Sequence, residues 1–447
     1  MIPLFANERS SPRIPFPFDA VLVLRVAACL AWWLVLGLAS LVWAEEKETP
    51  LAGEEFHTEV MGEPVTVPPR DRRTVTAASF GVQYLPDGPS FYQVLPFGAF
   101  YVWRHSDDLS KRFRGTFSGL VNDVAMNAGT RATSGWEVRL TFNNMIIPVG
   151  RSEYVEGQII RAVEVEWNYL FAGFGLAYRR LLHPGHQDNA LEISLTYEPG
   201  YRWFQRTRHT SPDFVVPSDT YEGRVHARLR TDALERNIME LPHRGYAFGG
   251  DFLFGHRATW HQWGGVAFPS PDAQQERQYL MGSVFAVAAT PVPFIDSDRH
   301  RLIMSLYGGI GQHLDRFSAF RLPGRPTGYE WEALSLPMLP SVAFNELFPR
   351  QYGIGHLEYR YQALFFLYPY VRGSWGIVEQ PRFQPDGSIA YKMNSMPALG
   401  SGVISGAPWR SQIEINYSYN FGIYSDHGGG PPLPGRHGFF VFWSKEL

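Results

Sequence analysis

The feature that most constrains this chain is a series of segments, each of roughly 10–16 residues, in which polar and apolar side chains alternate. In residues 137–143 the polar side chains fall on one face of a strand and the apolar ones on the other, and residues 192–197 and 412–419 repeat the pattern. A strand between lipid and a wet lumen needs this period of two. A β-sandwich also alternates, but its strands usually run about 5–6 residues. The long segments therefore favour a membrane barrel.

The composition agrees with a barrel that has one lipid face and one wet face. Aromatic residues make up 15% of the chain and charged residues 19%, and the mean hydropathy is −0.19. The 40 basic and 43 acidic residues leave a net charge of −3, so no nucleic-acid partner is indicated. We predict an all-β fold, a transmembrane antiparallel β-barrel of about sixteen strands over residues 75–447.

The predicted strand pattern is irregular in two places. In the first half of the chain, residues 112–126 read as one strand, whereas 154–168 and 170–183 read as two. Between predicted strands eleven and twelve, residues 315–349 form a much longer connection that contains five prolines. Loops of this length inside a compact protein are usually functional, and the prolines lead us to expect that this one is held in place.

The N-terminus predicts export. The long apolar run 26–43 follows three arginines and ends at Ala44, just before two glutamates. This pattern indicates a signal peptide, residues 1–44, cleaved after Ala44. An uncleaved anchor is the alternative, because about 18 apolar residues just span a bilayer. Cys29, the one cysteine, resembles a lipoprotein site, but most of the apolar core follows it. Cleavage would remove this cysteine. The mature chain would then have no disulfide, no catalytic thiol and no metal site with a cysteine ligand.

Residues 45–74 are charged, contain several prolines and show no apolar periodicity. We interpret them as a periplasmic linker that is too short to form a folded domain.

Four stretches resemble one family of barrels. They are residues 241–246 (LPHRGY), 322–329 (LPGRPTGY), 355–360 (GHLEYR) and 399–419. Their order, with the longest loop between strands eleven and twelve, resembles the BamA-like superfamily of outer-membrane assembly and translocation barrels, the bacterial surface antigen family. The resemblance implies a bacterial outer-membrane location, a role in assembling or translocating membrane proteins or lipids, and a loop tip docked in the lumen.

Two departures from that family concern the loop tip. The family's loop arginine directly precedes Gly-Tyr, but here Thr327 precedes Gly328 and Tyr329, and Arg325 stands two residues earlier. The family's acid on strand thirteen is replaced by Arg372. Both partners of the expected pair have therefore changed.

A desolvated Arg372 without an acid would be costly. We hypothesise that Glu330, beside the tip, supplies the acid and creates a charge-reversed lock, with Glu358 of the strand-twelve motif in the same site. The alternative is that Arg372 lies in hydrated lumen.

A third departure concerns the region before the barrel. Members of the family that insert or secrete proteins carry periplasmic polypeptide-transport-associated domains, and residues 45–74 cannot hold even one. The chain resembles the barrel-only branch, which leaves a homo-oligomer or a periplasmic or lipoprotein partner as open alternatives.

The last predicted strand resembles a barrel assembly signal. Gly438, Val441 and Trp443 fit its pattern of glycine, hydrophobic and aromatic positions. Such a strand would pair with the assembly machinery by β-augmentation and face outer-membrane lipids. The alternative is simply an aromatic final strand. We expect the seam between the first and last strands to be the weakest part of the wall.

No catalytic motif is evident. The loop histidines, such as His183 and His186, lack a second spaced pair of ligands. Residues 402–406 miss the G-x-S-x-G spacing, and the glycine run 308–311 does not open a helix. We expect no enzyme activity, metal or cofactor. The alternatives are a porin-type channel constricted by the long loop and, less favoured, a lipid-modifying enzyme.

Overall fold

The computed structural model describes residues 49–447 with gaps. The gaps are residues 61, 70–73, 89–92, 109, 130–133, 183–188, 266–275, 324–333, 345, 386–388, 408–409 and 426–432. Ala44 and the predicted signal peptide lie outside the described residues. Within the described part of the chain, no helix has the length and apolar character needed to cross a bilayer.

Sixteen long antiparallel strands of the described chain close into a barrel, in which the last strand pairs with the first. The strands are β3 (Thr74–Tyr84), β4 (Val94–His105), β5 (Lys111–Phe117), β6 (Val121–Gly129), β7 (Ser134–Met145), β9 (Gln158–Leu181), β10 (Ala190–Arg206), β11 (Thr220–Arg236), β12 (Pro242–Arg257), β13 (Gln278–Pro291), β14 (His300–Gln312), β15 (Gln351–Tyr361), β16 (Leu367–Phe383), β17 (Ile389–Ala407), β18 (Ser411–Ser425) and β19 (Leu433–Glu446). The predicted all-β class and strand number are confirmed.

Side chains alternate between the two faces of the wall, as the sequence pattern predicts. On β7, Trp136 and Leu140 point outward and are 66% and 47% exposed, whereas Glu137 and Arg139 point inward and are 4% and 5% exposed. The outer face is therefore apolar and the lumen face polar, which is the arrangement that a lipid environment requires.

The correct strand number conceals two errors in the first half. Residues 112–126, predicted as one strand, form β5 and β6, because the chain turns at 118–120 with Gly119 at a φ of +78°. Residues 154–168 and 170–183, predicted as two strands, form the single strand β9 with a short strand β8 (Arg151–Val155) beside its start. The two errors cancel in the count.

The region predicted to be a linker contains a hairpin. Strands β1 (Phe56–Val60) and β2 (Glu63–Val67) pair with each other in a separate two-stranded sheet. The chain just before them is attached to the barrel through a bridge between Leu51 and Asn237 in the β11–β12 turn. The alternation within 45–74 is too short for the sequence pattern to distinguish this hairpin from a linker.

The two ends of the barrel differ. We call the end with the start of β3 and the finish of β19 the terminal end, and the opposite end the loop end. Connections at the terminal end are short, from 408–410 at the shortest to 182–189 at the longest, whereas the loop end carries 258–277 and 313–350. Short turns at one end and long loops at the other are typical of outer-membrane barrels, whose turns face the periplasm.

Candidate functional site: the lumen and its inward loop

The long loop, residues 313–350 between the eleventh and twelfth barrel strands, folds into the lumen. Its Phe317 is 3% exposed and lies edge-on to strand and loop aromatics, with ring centroids 5.5 Å from Trp167, 4.8 Å from Phe204 and 5.0 Å from Trp263. Edge-to-face contacts between aromatic rings stabilise the fold by more than the burial of their apolar area alone, and they give the ring of Phe317 a defined position. The predicted inward path of the loop is confirmed for its described residues.

A second apolar cluster holds the rest of the described loop. Six loop residues take part: Leu314, Phe320, Leu322, Leu339, Val342 and Leu347. They pack against inward side chains of β13 and β15–β18, and Phe320 meets Tyr352 at 5.1 Å between ring centroids. Without the loop, these apolar side chains of the inner wall would face water, which is unfavourable. The loop covers them, so the loop and this part of the wall form one hydrophobic core.

A buried ion-pair group anchors the start of the loop. Arg257 of β12 donates to Asp315 at 2.6 and 3.2 Å, and it also contacts Glu222. Arg202 of β10 pairs with Glu222 at 3.1 Å and donates to the carbonyl of Phe317 at 2.5 Å. Each charge in the group has a partner, which is the condition under which buried charges are tolerated.

The far side of the loop joins the first and last barrel strands. Arg436 of β19 donates to Glu346 at 2.6 Å, and both side chains are almost fully buried. Gln83 of β3 donates to the carbonyl of Val342 at 2.9 Å. The loop therefore bridges the seam from the lumen side.

Gly438, predicted as part of an assembly signal, has a packing role in this bridge. A Cβ there would lie 2.8 Å from the hydroxyl of Ser341 and 3.1 Å from its Cα. Only glycine permits this approach of the loop to β19. Val441 and Trp443, the other two residues of the predicted signal, point outward and are 47% and 37% exposed.

The seam itself runs over eight residue pairs, from Phe439 opposite Tyr84 to Glu446 opposite Ala77. Aromatic rings cover both of its faces: Phe439 stacks on Tyr84 outside, and Phe97 stacks on Phe440 at 5.5 Å inside. The β4–β5 pairing is shorter, with six residue pairs. By strand pairing alone, therefore, the seam is not the weakest part of the wall, contrary to the prediction.

Arg372 has an acidic partner in the lumen. Its Nε donates at 2.9 Å to Glu358, which lies directly opposite on β15, and Arg360 donates to the other oxygen of the same carboxylate at 2.9 Å. The Glu358 side chain is 4% exposed. Glu358 on the neighbouring strand is therefore an acidic partner of Arg372, the role that we had assigned to Glu330.

The five predicted tip residues lie outside the described residues: Arg325, Thr327, Gly328, Tyr329 and Glu330. The chain that follows them lies in the lumen, where the carbonyl of Leu334 accepts from Tyr307 at 3.1 Å and Met338 lies 3.6 Å from Arg372. The contact between Glu330 and Arg372 stays a prediction.

A cavity of about 900 Å³ lies on the terminal side of the loop. Its walls include loop residues Leu334 and Met338, the pair of Glu358 and Arg372, and Phe442 beside the seam. Residues of the N-terminal hairpin also line it. Among the described residues no cluster of three or more histidine, cysteine, aspartate or glutamate side chains is arranged for a metal ion.

Sequence reasoning missed the two acids that anchor the loop, Asp315 and Glu346. Each is an acid near one end of a proline-rich segment, and that position is the one signal that could have marked them. Their partners, Arg257 and Arg436, lie far away in sequence, so only the closed barrel brings the pairs together.

Comparison with known proteins yields likenesses of fold. No protein-family model matches the chain, and no curated protein matches it. It is similar to BamA from Haemophilus ducreyi lacking POTRA domains 1–3, with a TM-score of 0.45 and 10% identity over 87% of this chain and 75% of that one. It is also similar to CdiB from Escherichia coli, with a TM-score of 0.45 and 11% identity over 91% and 69%.

The toluene transporter TodX of Pseudomonas putida matches with a TM-score of 0.32 and 8% identity over 84% of this chain and 89% of that one. At identities of 11% or less, these likenesses concern the fold alone.

Proposed function

We propose that this chain is a bacterial outer-membrane barrel of the BamA-like type, exported with signal peptide 1–44 and acting without catalysis in the assembly or translocation of membrane proteins or lipids. The observation that carries the proposal is the inward loop. Its described residues pack inside the lumen and are bonded to both the first and the last strand, through Gln83 and Arg436.

The outer location is supported by the surface of the wall. Outward side chains on neighbouring strands are large and apolar, for example Phe174 and Leu176 on β9, Ile193 and Leu195 on β10. Exposure of so many apolar side chains to water would be unfavourable, whereas lipid accepts them. Outer-membrane lipids and the barrel assembly machinery are the partners that this surface and the last strand imply.

A porin-type channel is the alternative, and the loop argues against it. A diffusion channel needs a hydrated path along the barrel axis. Here the loop and the wall share two apolar cores, centred on Phe317 and Leu339, and buried ion pairs anchor the loop near both of its ends. Cargo would then pass sideways through a parted seam, and the loop that bridges β3 and β19 would report or control that event.

A disulfide across the seam tests this mechanism. Ser79 and Ser444 lie directly opposite each other on β3 and β19, at a separation that suits a disulfide when both are cysteine. In proteoliposomes we expect the wild-type chain to accelerate exchange of a fluorescent phospholipid between leaflets. The S79C/S444C variant should lose that activity when oxidised and regain it when reduced.

The matched control is A125C/T141C, which links β6 to β7 elsewhere in the wall. It should exchange lipid at the wild-type rate in both redox states. Equal rates for oxidised and reduced S79C/S444C would contradict passage at the seam, and a large steady conductance of the wild type in planar bilayers would favour the porin alternative.

A further inference from the structure

The cavity on the terminal side of the loop has an apolar wall, although the lumen of an outer-membrane barrel is usually polar. Ile303 of β14, Ile404 of β17 and Phe442 of β19 point into it, and Leu334 and Met338 of the loop form its inner end. An apolar surface of this kind that faces water is unfavourable. A ligand with an apolar body would remove the surface from water.

The N-terminal segment lies at the outer end of the cavity. A bridge ties this segment to the β11–β12 turn just before the hairpin. Phe56 of β1 then packs against Phe365 of the β15–β16 turn, with ring centroids 5.4 Å apart. Val65 and Val67 of β2 line the cavity together with that turn. The hairpin therefore supplies part of the apolar wall at the terminal mouth.

The two attachments of this segment lie on opposite sides of the barrel. The β11–β12 turn joins the eighth and ninth of the sixteen strands, whereas the segment leads into β3, the first strand. The cavity thus lies between the inward loop and a segment that starts and ends across the mouth. Its volume of about 900 Å³ falls within the range of about 300–1,000 Å³ that is typical of small-molecule sites.

Polar groups lie beside the loop, at the inner end. Glu358 and Arg372 pair there, Ser305 lines the wall, and Nδ1 of His356 lies 2.7 Å from the hydroxyl of Ser374. Four arginines and five glutamates are found among the described residues around the whole cavity, so charges of the two signs nearly balance. A balanced site favours an uncharged polar head, because an ion would lose its hydration without gaining an unpaired partner.

We propose that this cavity binds an uncharged single-chain amphiphile of the monoacylglycerol type. Its hydrocarbon chain lies along the apolar wall of β14, β17 and β19, and its hydroxyl-bearing head lies beside the loop, near Ser305 and His356. Burial of the chain supplies most of the affinity, and the polar groups fix its orientation. Binding here does not require passage through the seam, so this proposal and the proposed function can fail separately.

The test is photolabelling of the full-length barrel in nanodiscs with a monoacylglycerol that carries a diazirine in its acyl chain, followed by mass spectrometry at residue resolution. We expect labels on the inward residues Ile404 and Phe442 that saturate with probe and disappear with excess monopalmitoylglycerol. The outward residues Leu399 and Val441 are 58% and 47% exposed and contact bulk lipid. Their labels should keep rising with probe concentration.

Two variants change the cavity. Ser305→Trp places a large side chain inside it and should abolish the saturable labels. Leu334→Gln replaces an apolar lining residue by a polar one of similar size and should weaken saturable labelling about tenfold. Ser401→Trp is the matched control, because Ser401 lies on the outward face of β17. It should leave the inward labels unchanged.

Absence of saturable inward labels in the wild type, or equal inward labelling of Ser305→Trp and Ser401→Trp, would overturn the proposal. If Ser305→Trp fails to fold, Leu334→Gln decides: weaker labelling supports the site, and unchanged labelling refutes it. Palmitate as competitor tests the head group. It should displace the probe at least about tenfold less effectively than monopalmitoylglycerol, because its carboxylate would be desolvated. Equal displacement would refute the uncharged head.

Discussion

At the residue scale, Arg372 is an arginine at a position where the resembled family has an acid, and the structure shows what stabilises it. Its guanidinium and that of Arg360 converge on the single carboxylate of Glu358, so one acid satisfies two cations across neighbouring strands. The arrangement depends on the register of β15 and β16, in which Glu358 and Arg372 lie directly opposite.

Glu358→Gln should therefore destabilise the barrel. The substitution removes the acid that the buried Arg360 and the partly buried Arg372 share, and removing one partner of a buried pair costs on the order of 3–5 kcal/mol. Unfolding in urea from detergent micelles measures the loss. Glu156→Gln is the control, because the Glu156 side chain is 22% exposed against 4% for Glu358, and its pair with Arg382 should contribute about 1 kcal/mol or less. Equal losses for the two variants would show that Glu358 is not the key acid.

At the element scale, the long loop behaves as part of the wall's interior rather than as a surface loop. Two buried acids, Asp315 near its start and Glu346 near its end, pair with arginines on β12 and β19. Between them the loop contributes rings and branched side chains to both apolar cores. Ion pairs set its position, and apolar packing supplies most of its stability.

The double substitution Asp315→Asn and Glu346→Gln should loosen the loop without unfolding the barrel, because the strand ladder is untouched. We expect proteases to cut within 313–350 and the bilayer conductance to rise several-fold over wild type. Asp108→Asn, in an exposed turn at the terminal end, is the control and should change neither readout. An uncut loop with wild-type conductance would mean that apolar packing alone keeps the loop in the lumen.

At the scale of the whole molecule, the barrel wall is uneven. The third barrel strand, β5, has 7 residues, whereas the sixth, β9, has 24. A membrane-spanning strand needs about 9–11 residues, so β5 is short for a full crossing and β9 extends well beyond it. The short strand β5 is the third from the seam, and the tall strand β9 is the sixth.

Export is the whole-molecule step on which an outer-membrane barrel depends. We expect the mature protein, isolated from bacterial outer membranes, to begin at Glu45, with residues 1–44 removed. N-terminal sequencing and intact mass measure this directly. Ala44→Arg should block cleavage, because signal peptidase needs a small residue there, whereas Glu46→Gln should leave cleavage intact. A wild-type chain that keeps residues 1–44 would support the uncleaved anchor instead.

Much of the fold was predictable from local pattern, and the failures have local causes. Alternation in 192–197 correctly placed Ile193 and Leu195 outside and Ser194 inside, because a side-chain period of two is a property of the strand itself. The turn at Gly119 was missed because residues 118–120 interrupt the alternation for only three positions, which is too short a break to be distinguished from a continuous strand. The site was less predictable: Arg372 and Glu358 were identified, but their mutual pairing was not.

By itself, the sequence determined the class of the molecule and the place of its long loop. Alternation and strand length depend on neighbouring residues, so they are readable without tertiary contacts. The tertiary structure alone decided which charges meet, because Asp315 and Arg257, like Glu346 and Arg436, become neighbours only once barrel closure and register bring distant strands together.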